Sequence, residues 1–196
     1  MSCKVQNVPL CIFQGSNFNW VFQWAESTLT FKDITGITKA APAVITAASH
    51  GVPDGWEVYV QSVQGMDEIN STRARVATLI ASSTLSIPID ATTYTAYSSG
   101  GVLSYYTPVD LAGFDARAHF RASVSATGTP LIELDVSGGG IVLDNTAKTI
   151  TLKMTAAETA ALTWTRAVYD LEMESGTGVV TRIAAGAVTV SKEVTR

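Results

Sequence analysis

Charge is scarce in this chain: only 15% of its 196 residues are Asp, Glu, Lys or Arg, against about a quarter in an ordinary globular protein. With a net charge of −4 there is no basic footprint to neutralise phosphates, so general nucleic-acid binding is excluded. Cysteine is almost absent. Cys3 and Cys11 stand eight positions apart, and a disulfide between them requires the segment to fold back as a hairpin, which Pro9 opposes. Compartment logic favours two reduced thiols in a protein made in a cytoplasm. Two thiols and two distant histidines, His50 and His119, make no zinc set. No apolar run reaches the roughly 18 residues of a membrane span. The start, Met1-Ser2-Cys3-Lys4-Val5, lacks the apolar core and cleavage site of a secretory signal. Thr, Ser, Ala, Val and Gly take the place of charge, giving a neutral, hydroxyl-rich, strand-compatible exterior of the kind that other subunits cover. The length suits one large all-β domain or two small ones.

Residues 147–194 switch legibly between two structural periods. Ile150, Leu152 and Met154 alternate with Thr149, Thr151 and Lys153, the period of a half-buried strand. Thr155-Ala156-Ala157-Glu158 fits a capping box, so a short Ala-rich helical turn is predicted, ending near Trp164. Strand period resumes with Ala167, Tyr169, Leu171 and Met173 on one face and Val168, Asp170, Glu172 and Glu174 on the other. After Gly176 and Gly178 a last strand is predicted over residues 179–194. This module reads as scaffold.

Near the N-terminus Phe18, Trp20, Phe22 and Trp24 share one face of an alternating strand. Rings of that size anchor a core; the competing reading is a sugar-stacking platform, but no polar groups converge there. The expected partner of this strand is a later one, residues 116–122, with Ala116, Ala118, Phe120 and Ala122 inward and Arg117, His119 and Arg121 outward. That basic outer row is either a patch for an acidic partner or an ordinary solvated face, and isolated surface charges favour the second. Between the two strands residues 34–106 carry about five short strands with turn signals roughly every ten residues, which suggests a small barrel. Trp164 reads as a plug at the end of the helix.

Catalytic chemistry finds no set of residues to carry it. Ser137-Gly138-Gly139-Gly140 lacks the Lys and Ser/Thr of a phosphate loop and reads as a hairpin turn. Asp54, Asp67 and Glu68 lack calcium-loop spacing. Asp170, Glu172 and Glu174 form a row on one strand face rather than facing each other across a cleft, and no serine sits in a nucleophile elbow. No catalytic, cofactor-binding or metal-binding residue is assigned, and a non-enzymatic role is expected.

The phrase Asp110-Leu111-Ala112-Gly113-Phe114-Asp115-Ala116-Arg117-Ala118-His119-Phe120-Arg121 resembles a recurrent phrase of small bacteriophage structural proteins. There it follows an N-terminal strand like Gln14-Gly15-Ser16-Asn17-Phe18-Asn19-Trp20. The segments 139–143, 150–152 and 163–172 fit the same family, which resembles the immunoglobulin-like N-terminal sandwich of phage baseplate upper proteins and tail-fibre attachment proteins. Within the insertion, residues 45–51, 55–60 and 63–70 are similar to a small β-barrel repeated in phage tail proteins and present in the first catalytic-cysteine half-domain of ubiquitin-activating enzymes. No cysteine lies in the block, so that chemistry does not carry over. The resemblances imply an all-β fold: a discontinuous immunoglobulin-like β-sandwich with one short helix, residues 1–33 and 107–196, interrupted by a small inserted β-barrel, residues 34–106. They imply a structural component of a tailed-phage virion, made in the host bacterial cytoplasm. Its expected place is as an adaptor in the tail, baseplate or fibre-attachment region, bound to other virion proteins and to copies of itself in a symmetric ring or trimer. A head-to-tail connector or capsid decoration protein is the alternative, and a host-glycan-binding module using Phe18, Trp20, Trp24 or Trp56 a further one. Neither nucleic acid nor a membrane is an expected partner.

Overall fold

The computed structural model describes residues 6–194; Cys3, half of the cysteine pair considered above, lies outside them. In chain order the strands are β1 (Gln6–Asn7), β2 (Leu10–Phe13), β3 (Phe18–Gln23), β4 (Ala25–Asp33), β5 (Gly36–Ile37), β6 (Ala43–Thr46), β7 (Glu57–Gln64), β8 (Ser71–Val76) and β9 (Thr78–Ala81). They continue as β10 (Thr84–Ile87), β11 (Ser99–Pro108), β12 (Asp115–Arg121), β13 (Ile132–Asp135), β14 (Ile141–Asp144), β15 (Thr149–Met154), helix α1 (Ala156–Ala160), β16 (Arg166–Glu174) and β17 (Val180–Ser191). The chain is mostly β with one short helix, and it divides into two compact units, residues 1–24 with 110–196, and residues 25–109.

The first unit stacks a six-stranded sheet, β1-β17-β16-β12-β13 with β2 also on β17, against a three-stranded sheet, β14-β15-β3. Its core draws Phe18 and Phe22 from β3, Ile150 and Leu152 from β15, Phe120 from β12, and Tyr169, Leu171 and Met173 from β16. These are the inward sets that alternation marks, because successive strand residues point to opposite faces. The predicted capping box is present: Thr155 Oγ1 accepts from the Glu158 N–H at 3.3 Å, and the Thr155 N–H donates to Glu158 Oε2 at 2.7 Å. Thr159, fully buried, fastens the helix by donating to the Ser16 carbonyl at 2.8 Å. At the N-terminal edge Pro9 falls between β1 and β2, which both pair parallel with β17. Gly186 permits that crossing, since a Cβ there would lie 2.4 Å from the Val8 carbonyl oxygen.

One expected pairing is wrong. β3 bonds to β15, Phe22 opposite Ile150 and Trp20 opposite Leu152, and not to the strand bearing Arg117. β3 and β12 belong to opposing sheets and meet through the shared core; alternation identifies a buried face without saying which sheet carries it.

The second unit corrects the expected barrel. It consists of two open four-stranded sheets, β5-β6-β10-β9 and β4-β11-β7-β8, and no sheet closes on itself. The stretch 73–81 breaks at the buried Ala77 into β8 and β9, which lie in different sheets. Ala77 turns that corner by donating to the Trp56 carbonyl at 2.8 Å and accepting from Gly55 at 2.9 Å. The core between the sheets takes Ile45, Leu85 and Ile87 from one and Val58, Val60, Leu103 and Tyr105 from the other. The unit starts at Ala25 and ends at Val109 rather than at 34 and 106, because β4 and β11 pair from Asp33↔Val102 as far as Ala25↔Pro108.

Candidate functional site

The polar residues singled out on the sandwich converge on one surface. Registers across β13, β12, β16 and β17 set Asp135, Arg117, Glu172 and Arg182 side by side, and Glu133, His119 and Asp170 in the next row. Arg117 reaches Glu172 at 3.0 Å and Glu174 at 3.6 Å; Arg182 approaches Asp170 at 3.5 Å. His119 Nε2 stands 3.4 Å from Glu133 without the geometry of a hydrogen bond. Arg121 leaves the lattice, donating from Nη1 to the Gly128 carbonyl at 2.6 Å. The basic row and the carboxylate row are therefore one interleaved lattice on the outer face of the six-stranded sheet. Exposed pairs of this kind contribute at most about 1 kcal/mol each, and their role is to keep that face in water. A hollow of about 790 Å³ opens over it, lined by His119, Arg121, Thr127, Asp170 and Arg182 among others, with both charge signs mixed along its wall.

The glycine run 137–140 is a corner between sheets and not a hairpin, since β13 and β14 lie in different sheets. Asp135 organises it, accepting from the Gly138 N–H and the Ser137 hydroxyl. The Gly138 N–H, then the Ser137 hydroxyl, hold its carboxyl below the ordinary range. Asp110 is lowered in the same way, first by the Lys148 ammonium at 3.0 Å and then by Asn145.

In the second unit the residues with the most distinctive spacing hold loops. Val52 N–H donates to His50 Nδ1 at 3.0 Å, so the ring hydrogen sits on Nε2 and goes to the Ala81 carbonyl, also 3.0 Å away. Tyr105 donates its hydroxyl to the His50 carbonyl, and burial pushes the phenol pKa up. Asn70 imitates a neighbouring strand for Val63, accepting its N–H at 2.8 Å and donating to its carbonyl at 3.0 Å. Gly65, at φ +84°, admits the 96–98 segment, for a Cβ would stand 2.5 Å from the Ala96 carbonyl oxygen. The candidate calcium carboxylates serve separate loops: Asp54 accepts the Leu79 N–H at 2.8 Å, and Glu68 accepts the Thr95 N–H and hydroxyl at 2.9 Å. The Thr95 N–H bond holds Glu68 below the usual carboxylate range. Sequence reasoning missed His50 and Asn70 in these roles; Gly51 beside His50 marks a turn without naming the main-chain groups the ring holds, and Asn70 has no such neighbour.

The aromatic residues sort by surroundings. Phe18, Phe22 and Trp56 are buried, and Trp20, Trp24 and Trp164 pack half-buried against the sandwich core, Trp24 edge-on to Phe114 at 5.4 Å. They are core residues rather than a platform for sugars. Exposed rings occur elsewhere, on the outer face of the β4-β11-β7-β8 sheet. Leu29 stands opposite Tyr106, while Phe31 and Tyr59 flank Ser104 on either side. Phe31 is 63% exposed and Tyr106 46%, yet Ser104, between two rings, is 4%. Leu29, Phe31, Tyr59 and Tyr106 thus make an outward apolar cluster on one sheet face.

Comparison with known families finds a similarity in the second unit. The model of the ubiquitin-activating enzyme E1 FCCH domain matches residues 40–105, all within the second unit. No curated protein matches the chain. The segment 40–105 is thus similar to a domain found in ubiquitin-activating enzymes, and it contains no cysteine.

Proposed function

We propose that the chain is a non-enzymatic structural component of a tailed-phage virion, an adaptor in the tail, baseplate or fibre-attachment region. It works through protein–protein assembly, with other virion proteins and with copies of itself. The observation that carries this reading is the outward cluster of Leu29, Phe31, Tyr59 and Tyr106 on a rigid sheet, a surface suited to burial against protein. The resemblance of the Asp110–Arg121 phrase to phage structural proteins supplies the setting. Loops held by Asn70, Glu68 and His50 suit a geometric role, since they fix the shape of the unit. The test is mass spectrometry of purified particles from the phage that encodes the chain. A stoichiometric presence supports the adaptor, and absence from washed virions ends the proposal.

A further inference from the structure

Strand β4 is an edge: it pairs with β11 on one side and, among the described residues, with no strand on the other. It is nine residues long, and Glu26, Ser27, Thr28, Leu29, Phe31 and Asp33 are exposed. Natural edges of that length are usually blunted by proline, a bulge or central charge; the middle of this one, Ser27-Thr28-Leu29-Thr30-Phe31, has no proline and no charge, and its irregularity is a register shift against β11 between Ala25 and Leu29.

The backbone direction can be read. Ile34 N–H donates to the Gly101 carbonyl at 2.9 Å, and the Thr28 carbonyl accepts from Thr107 Oγ1 at 3.3 Å. Even-numbered residues therefore turn their main-chain groups toward β11. Ser27, Leu29 and Phe31 turn theirs toward the open edge, because these directions alternate along a strand.

We infer that a second copy of this chain docks here, β4 antiparallel to β4, about a two-fold axis at Leu29. In that register the outward main-chain groups meet: Leu29 faces Leu29 of the second copy, and Ser27 faces Phe31. The intervening pairs, whose side chains approach most closely, set Thr28 against Thr30 and Glu26 against Lys32. Symmetry makes the Glu26–Lys32 pair twice. Sliding the register by two residues either way places Glu26 opposite Thr30 or Ile34 instead, so the charges select this one alignment. The two four-stranded sheets become one continuous sheet, and Leu29 and Phe31 of both copies join across the seam into a single apolar row. The contact is isologous and closes after two copies. A ring would need a second contact elsewhere, and a trimer is not a product of this seam. The inference goes beyond the virion reading and does not depend on it.

Sedimentation velocity of the whole chain over a concentration series tests it. The wild type forms a reversible dimer. Leu29→Pro removes the central outward N–H, a position where an edge strand accepts proline, and leaves a folded monomer by circular dichroism. Glu26→Lys sets like charges opposite each other twice and weakens the dimer roughly tenfold, whereas the double variant Glu26→Lys/Lys32→Glu returns within about twofold of wild type. A wild type still monomeric at about 100 µM, a dimer untouched by Leu29→Pro, or a double variant that fails to recover would each overturn the inference.

Discussion

On the six-stranded sheet of the sandwich, Arg117, Arg182 and His119 interleave with Glu133, Asp170, Glu172 and Glu174, whereas the β4–β11 sheet turns Leu29, Phe31, Tyr59 and Tyr106 outward. Both faces belong to sheets whose other side is a well-filled core, so folding alone does not account for the difference. A solvated face gains from alternating charges, which resist edge and face association. A face awaiting a partner gains from rings and lacks central charge.

The contrast is sharpest when the same substitution is made at a core-facing position of one sheet and at an outward position of the other. Phe120, fully buried and stacked on Tyr169 at 5.6 Å between ring centroids, should lose about 3–5 kcal/mol on Phe120→Ala. Phe31→Ala should stay within about 0.5 kcal/mol. Urea unfolding followed by tryptophan fluorescence measures both. If Phe31→Ala proved as costly, the outward face would be part of the core and the comparison would fail.

A smaller effect separates the ways the two units hold their loops. His50→Ala should cost about 1–3 kcal/mol for each group left unsatisfied, namely the Val52 N–H and the Ala81 carbonyl. The loss should be confined to the second unit, which amide hydrogen exchange would show as faster exchange around Val52 with β16 and β17 unchanged.

The smallest effect is a pH dependence in the sandwich. The Thr155 N–H, then its hydroxyl, hold Glu158 below its ordinary value. A depressed carboxyl stabilises the fold above its unfolded pKa, and that stability disappears as pH falls through the folded value. Glu158→Gln retains the capping pattern without the charge. Its stability should therefore depend less on pH below the ordinary glutamate range, the gap to wild type closing on acidification. Thermal melts across that acid range, with a gap that stayed constant, would refute this.

What could be read from residues alone was local. The Thr155–Glu158 cap and the alternation of β15 and β16 involve neighbours in sequence, and both appear where expected. The pairing of β3 did not follow, since β12 and β15 each offer one apolar face and nothing local ranks them. Ala77 looks like any small strand residue, yet it ends one sheet and begins another, which is why a run of strands resembled a closed barrel. β4 escaped notice for a related reason: Ser27, Leu29 and Phe31 alternate with Thr28, Thr30 and Lys32, and both sets suit a strand, so the pattern names no inner face. His50 and Asn70 work through main-chain partners that carry no sequence signature.

The pairing of Ala25 with Pro108 has a consequence for synthesis. The sandwich receives β1 to β3 early and must hold them without their partners while residues 25–109 emerge. Once that stretch folds, its adjacent first and last strands bring Trp24 and Asp110 onto a short tether, and the entropy of closing a long loop no longer opposes the return of the chain. Folding of the middle then becomes the step that licenses completion of the ends, and a lesion in β4 or β11 would be expected to slow maturation of the sandwich.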